Sequence, residues 1–161
     1  MSAAAVSTWL AGRLPEDWFE GAPEVVVDRD EILVVGTIAA PEGGPEAEIG
    51  RISRFREETR QARMKIASEA EHRFDRKVAW GAQAGSVRQV FTSLSVPVMT
   101  RLRQSERVVL DTLVDSGVAR SRSEALGWCV KLVGKNTEAW LVELREAMEA
   151  VTKVRAAGPV A

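Results

Sequence analysis

A chain of 161 residues with 45% hydrophobic content can bury one sizeable core or two small ones, and no stretch reaches the apolar length of a membrane span. One cysteine, Cys129, and one histidine, His72, exclude an internal disulfide and leave no His/Cys cluster for zinc or nickel, so no metal or other cofactor is expected. The net charge of -1 conceals segregation: residues 1–50 carry two basic and ten acidic side chains, residues 51–90 ten and five, and residues 91–161 ten and eight. The local balances of -8, +5 and +2 admit an anionic partner at the middle and C-terminal segments and disfavour one at the start.

The N-terminus has neither the basic region nor the apolar core of a secretory signal, which points to a cytoplasmic protein. A short helix is expected over residues 3–14, followed by a turn at Pro15 and a loop through Gly21 and Pro23. The β-branched runs 24–27 and 32–35 flank Asp28–Glu31 and predict a β-hairpin over residues 24–38. Residues 39–50, rich in Pro, Gly and Glu, predict an acidic loop with nothing to bury. From 51 to 77 the period changes, with Ile52, Phe55, Thr59, Ala62, Ile66, Ala70 and Phe74 on one face of a long amphipathic helix. Val78–Trp80 is a candidate third strand, ended by Gly81 and Gly85. These elements predict a small α+β domain over residues 1–90, thin enough to gain from dimerisation.

Further on, residues 95–102 form a strand candidate. A helix follows, with Val109, Leu110, Leu113 and Val114 on one face and its end marked by Gly117. Ser121 and Glu124 have capping-box spacing and open a second helix whose apolar positions are Ala125, Leu126, Cys129, Val130 and Val133. Gly134 and Asn136 interrupt it, and a last helix over residues 137–155 places Leu141, Leu144, Met148 and Val151 three or four apart, as packing on a partner helix requires.

The order of strand, helix, Gly117-containing turn and Ser121–Arg122–Ser123–Glu124 helix opening, joined to a strand ending Thr100–Arg101–Leu102, resembles the ribbon-helix-helix (Arc/MetJ-type) superfamily. The resemblance covers about residues 96–133; residues 91–134 form the corresponding unit and 135–161 an added helix and tail. It implies a homodimer whose two strands pair into a ribbon that enters the DNA major groove. The physical argument agrees, because one short strand with two amphipathic helices has unpaired edges and too little core until a twin supplies both. With Val98, Thr100 and Leu102 turned to the helices, alternation turns Met99, Arg101 and Arg103 to the groove. There arginine pairs with guanine O6 and N7, and Met99 meets a thymine methyl. Thr100 is an unusual core residue, and the opposite strand phase would expose it instead. Ser121, Arg122 and Ser123, at the positive end of the second helix, are the expected phosphate clamp.

Arg56, Arg60 and Arg63 recur at i, i+4 and i+7 on the long helix. They form either a second basic strip for a nucleic-acid backbone or a solvated face shared with Glu57, Glu58 and a Glu69/Arg73 pair. Trp80, Trp128 and Trp140 are expected as core or interface anchors, Cys129 as a small hydrophobe and His72 at the surface. With no nucleophile elbow, no His beside Cys129 and no distinctive carboxylate pair, an enzyme is not expected. The leading expectation is a dimeric, sequence-specific transcriptional regulator, its N-terminal domain adding dimer contacts or sensing an unidentified protein or small-molecule effector. Two alternatives stay open. One is an antitoxin-like or adaptor dimer, disfavoured by the late position of the unit; the other is an architectural nucleoid-associated protein, disfavoured by the acidic start. Arg over Lys, abundant Ala and Val and the lack of Tyr suggest a GC-rich bacterial genome.

Overall fold

The computed structural model describes residues 3–158. The protein is α+β and divides into two compact units between Val98 and Met99, a few residues beyond the boundary expected at residue 90.

The first unit runs α1 (Ala3–Ala11), β1 (Glu24–Val27), β2 (Glu31–Thr37), α2 (Pro45–Glu58), α3 (Arg60–Phe74), β3 (Lys77–Ala84) and β4 (Val87–Val90). Its sheet has the order β1-β2-β3-β4, with β1/β2 and β3/β4 antiparallel and β2/β3 parallel. The expected hairpin is β1/β2. Its turn closes on the Asp28 carboxylate, which accepts the backbone N–H groups of Asp30 (2.8 Å) and Glu31 (2.7 Å). Because β2 and β3 are both central, they bury consecutive residues such as Val34–Gly36 and Ala79–Ala82, where a strand covered on one face would alternate. Helix residues Val6, Leu10, Ile52, Phe55 and Ile66 complete the core with Ile32, Val34 and Trp80. Trp18 packs edge-on against Phe55 (5.8 Å) and Trp80 (6.2 Å).

Three expectations are corrected here. The acidic loop is shorter, because Pro45 starts α2, and Glu46 and Glu48 in its first turn suit the positive helix end. The single long helix is two. At Thr59 the side-chain hydroxyl donates to the Phe55 carbonyl (2.6 Å), a back-bond that bends helices, and α3 begins one residue on, the apolar stripe continuing through Ile66 and Ala70. Ala62 is exposed and Arg63 takes the buried position. The candidate third strand, finally, is eight residues long, passes through Gly81, and pairs with a fourth strand that had not been anticipated.

One buried acid fastens this last hairpin. The Glu48 carboxylate accepts from the Ser86 N–H (3.0 Å), the Ser86 hydroxyl (2.9 Å) and the Val87 N–H (3.1 Å). Glu48→Ala leaves these donors unpaired and is expected to cost about 2–3 kcal/mol in urea unfolding, with Glu48→Gln recovering part because its amide oxygen still accepts.

The second unit holds α4 (Gln104–Asp115), α5 (Arg122–Asn136) and α6 (Glu138–Ala157). Helix α4 ends in a Schellman arrangement. The Val118 N–H donates to the Leu113 carbonyl and the Gly117 N–H to that of Val114, each at 3.0 Å, with Gly117 at φ 77°, a conformation that glycine adopts without strain. Helix α5 continues through Gly134, which the sequence pattern had marked as an interruption. The core of this unit is small: Leu110, Ala119 and Ala125 are buried, with Leu102, Leu113, Val114, Leu126 and Cys129 packed around them. Val109, Val130 and Val133 face solvent, and α6 buries none of its described residues. Among the described residues, no helix is long and apolar enough to cross a membrane.

Candidate nucleic-acid interface and a basic cavity

Residues 92–103 precede α4 without helix or strand and without a ladder partner in the chain. Along them Met99 is 98% exposed, Val98, Arg101 and Arg103 are exposed, and Leu102 is half-buried against the small core of α4 and α5. Leu102 thus points as the expected register requires. Val98 and Thr100, expected to face the helices, are exposed in the chain. Arg103 N-caps α4, its backbone N–H donating to the Glu106 carboxylate (2.6 Å) while its side chain stays at the surface.

The opening of α5 is built as its spacing predicts, with one shift. The Ser121 hydroxyl accepts the Glu124 N–H (3.2 Å), and the Glu124 carboxylate accepts the N–H of Arg120 (2.8 Å) in place of that of Ser121. Ser121, Arg122 and Ser123 are all exposed. The Arg122 guanidinium, however, forms a two-pronged pair with Asp111 of α4 (2.6 and 2.7 Å). In the chain as it stands it ties α5 to α4 rather than standing free.

This pair sets a pH dependence. Hydrogen bonding from Arg122, then the charges of Arg122 and Arg107, outweigh burial and hold the Asp111 carboxyl below its usual range. A depressed folded-state pKa means a contribution present above the unfolded value and lost as pH falls through the folded one. Urea midpoints of the wild type and Asp111→Asn are therefore expected to differ by a constant amount near neutrality and to converge below about pH 3.9.

The three arginines of the first unit do not form a solvated strip. Arg56 and Arg60 are exposed, whereas Arg63 is only 7% exposed. Its Nε donates to the Thr59 hydroxyl (2.9 Å), its Nη2 donates to the Arg56 carbonyl (2.6 Å), and the guanidinium lies 4.9 Å from the centroid of the Phe91 ring. Burial, and next the charges of Arg56 and Arg60, pull its pKa below the ordinary arginine value. Together the three line an open cavity of about 580 Å³ whose other walls include Trp80, Phe91, Val78 and Met64. Glu69, expected to pair with Arg73, instead holds Arg13 of the loop after α1 (2.7 Å).

Sequence reasoning named the arginines but missed the cavity. Trp80 stands on β3, which pairs in parallel with distant β2, and Phe91 follows β4, which pairs antiparallel with β3, an arrangement that was not anticipated.

Two family models match the chain: Rv1265-like protein, N-terminal domain, over residues 4–90, and Mb1296 C-terminal domain over residues 103–155. The chain belongs to the Rv1265-like family. Similar full-length relatives are the uncharacterized protein Mb1296 of Mycobacterium bovis and the uncharacterized protein Rv1265 of Mycobacterium tuberculosis. Each is 59% identical over 162 residues, covering 98% of this chain and 71% of the relative. These relatives are bacterial, as the composition suggested. No solved structure matches. In Rv1265-like terms the basic cavity belongs to the N-terminal domain and the capped start of α5 to the C-terminal one, while Met99 and Arg101 fall in the segment between the two models.

Proposed function

We propose that this Rv1265-like protein is a dimeric, sequence-specific DNA-binding regulator. In it, residues 95–102 of two copies pair into a ribbon for the major groove, and the start of each α5 clamps a phosphate. The observation that carries the reading is the unmet demand of the second unit. Its core has three buried residues, Val109, Val130 and Val133 remain at the surface, and the segment before α4 has backbone without a ladder partner. A second copy meets both needs at once, since strand pairing satisfies the backbone and helix packing removes apolar area from water. The arms then carry Met99, Arg101 and Arg103 outward beside the capped α5, where backbone N–H groups and the hydroxyls of Ser121 and Ser123 suit a phosphate. Arg122 would have to exchange Asp111 for DNA to join them. A cytoplasmic, nucleoid-bound location goes with this reading.

Selection of bound fragments from sheared genomic DNA tests it, combined with sedimentation of the free protein. The expected outcome is a dimer that enriches a palindromic motif and loses affinity steeply with salt. A monomer, or a dimer with no preferred fragment over competitor DNA, refutes it.

One observation favours a second reading, an adaptor dimer. Trp140, Leu144, Met148 and Val151 form an exposed apolar stripe along α6, which suits packing against a partner helix. Recovery of a stoichiometric protein partner bound through α6, with no DNA preference, would favour it.

A further inference from the structure

The basic cavity of the first unit holds a buried cation with an unmet demand. Arg63 is a buried cation flanked by two more, and among the described residues none of the three makes an ion pair, although the Glu57 carboxylate stands on the same rim. A buried charge without a counter-charge is unfavourable, and like charges beside it increase the cost. Trp80, another wall, buries its indole Nε1–H with no acceptor, which native interiors avoid. An anion rich in acceptor oxygens supplies the missing counter-charge, while the Trp80 Nε1–H, closed off from solvent, is a nearby reporter and not a ligand group. Among the described residues the Nη1 group of Arg63 makes no hydrogen bond, since its Thr59 and Arg56 contacts use Nε and Nη2.

The remaining walls narrow the anion. Phe91, Met64 and Val78 give the cavity an apolar side, and its volume falls within the range of small-molecule sites, about 300–1,000 Å³. Inorganic phosphate would leave that side wet. A duplex backbone would reach the exposed Arg56 and Arg60 but not the recessed Arg63. We propose that this cavity binds a small organic anion, a carboxylate or phosphate monoester carried on a flat apolar body. Arg63 and Arg60 grip the oxygens, and Trp80 and Phe91 wall the body. The site is independent of DNA binding by the second unit.

Titration of the full chain, followed by the NMR signal of the Trp80 indole N–H and assigned with Trp80→Phe, tests this. The probes are phenyl phosphate, phenylacetate, inorganic phosphate and a short DNA duplex. Phenyl phosphate or phenylacetate is expected to shift the signal to saturation, at least about tenfold more tightly than inorganic phosphate, and whichever binds names the head group. Arg63→Gln is expected to weaken that binding by about tenfold or more, and Arg60→Ala, at an exposed position that leaves the core intact, by several-fold. Equal binding of inorganic phosphate, a response to the duplex alone, no saturation below about 10 mM, or full affinity in Arg60→Ala each overturns the proposal.

Discussion

On the proposed reading, Arg101→Ala is expected to remove most of the preference for a specific DNA site while leaving the fold, the proposed dimer and general affinity for DNA intact. Arg101 is exposed, has no ion pair among the described residues and precedes α4 by three positions, so its loss takes nothing from either core. One bidentate arginine–guanine pair discriminates by about 1–3 kcal/mol, and a dimer presents the side chain twice. The specific dissociation constant should therefore rise at least about thirtyfold in a competition assay at fixed salt, while affinity for unrelated DNA changes little. On that reading, binding to unrelated DNA rests on phosphate contacts that the α5 openings would still supply. A variant that loses specific and unspecific binding equally would make Arg101 a phosphate contact. One that loses neither would remove the ribbon reading.

The second large effect concerns stability. Gly36→Ala is expected to destabilise the first unit by about 3 kcal/mol, read as a fall in the thermal or urea midpoint. Gly36 is buried in β2, paired with Ala82, and the Phe19 ring lies where a Cβ would go. The strand is held in the centre of the sheet, so the Phe19 ring has to move. Phe19 packs against Phe55 at 5.6 Å and Trp18 at 6.1 Å, so moving it disturbs the aromatic cluster. Phe19→Ala removes the obstacle, and the double variant Gly36→Ala/Phe19→Ala should be less destabilised than the two single changes added together. Strict additivity would show that the clash is not the cause. The second unit has its own small core and should keep its helices.

Both predictions depend on how far the chain announces its structure. The capped opening of α5, the glycine end of α4 and the β1/β2 hairpin were legible because each is made by contacts within a few residues: Ser121 to Glu124, Gly117 to Val114, Asp28 to Glu31. Short-range hydrogen bonds and hydrophobic period are local properties, and one sequence carries them in full. Met99, Arg101 and Arg103 are exposed, but so are Val98 and Thr100, so the strand alternation expected there is not seen in the single chain.

What was not legible depends on partners distant in sequence. Nothing near residue 63 indicates that the stripe, which continues through Thr59, Ile66 and Ala70, turns an arginine and not Ala62 into the interior. The parallel pairing of β2 with β3 joins residues more than forty positions apart, and the packing of α3 on β3 brings Trp80 to the same cavity as Arg63. By itself the sequence determined the helices of the second unit, their caps and the hairpin, because each closes over a single turn of chain. Only the tertiary structure decided the sheet order, the break at Thr59 and the cavity with its buried cation, because each depends on which distant surfaces meet.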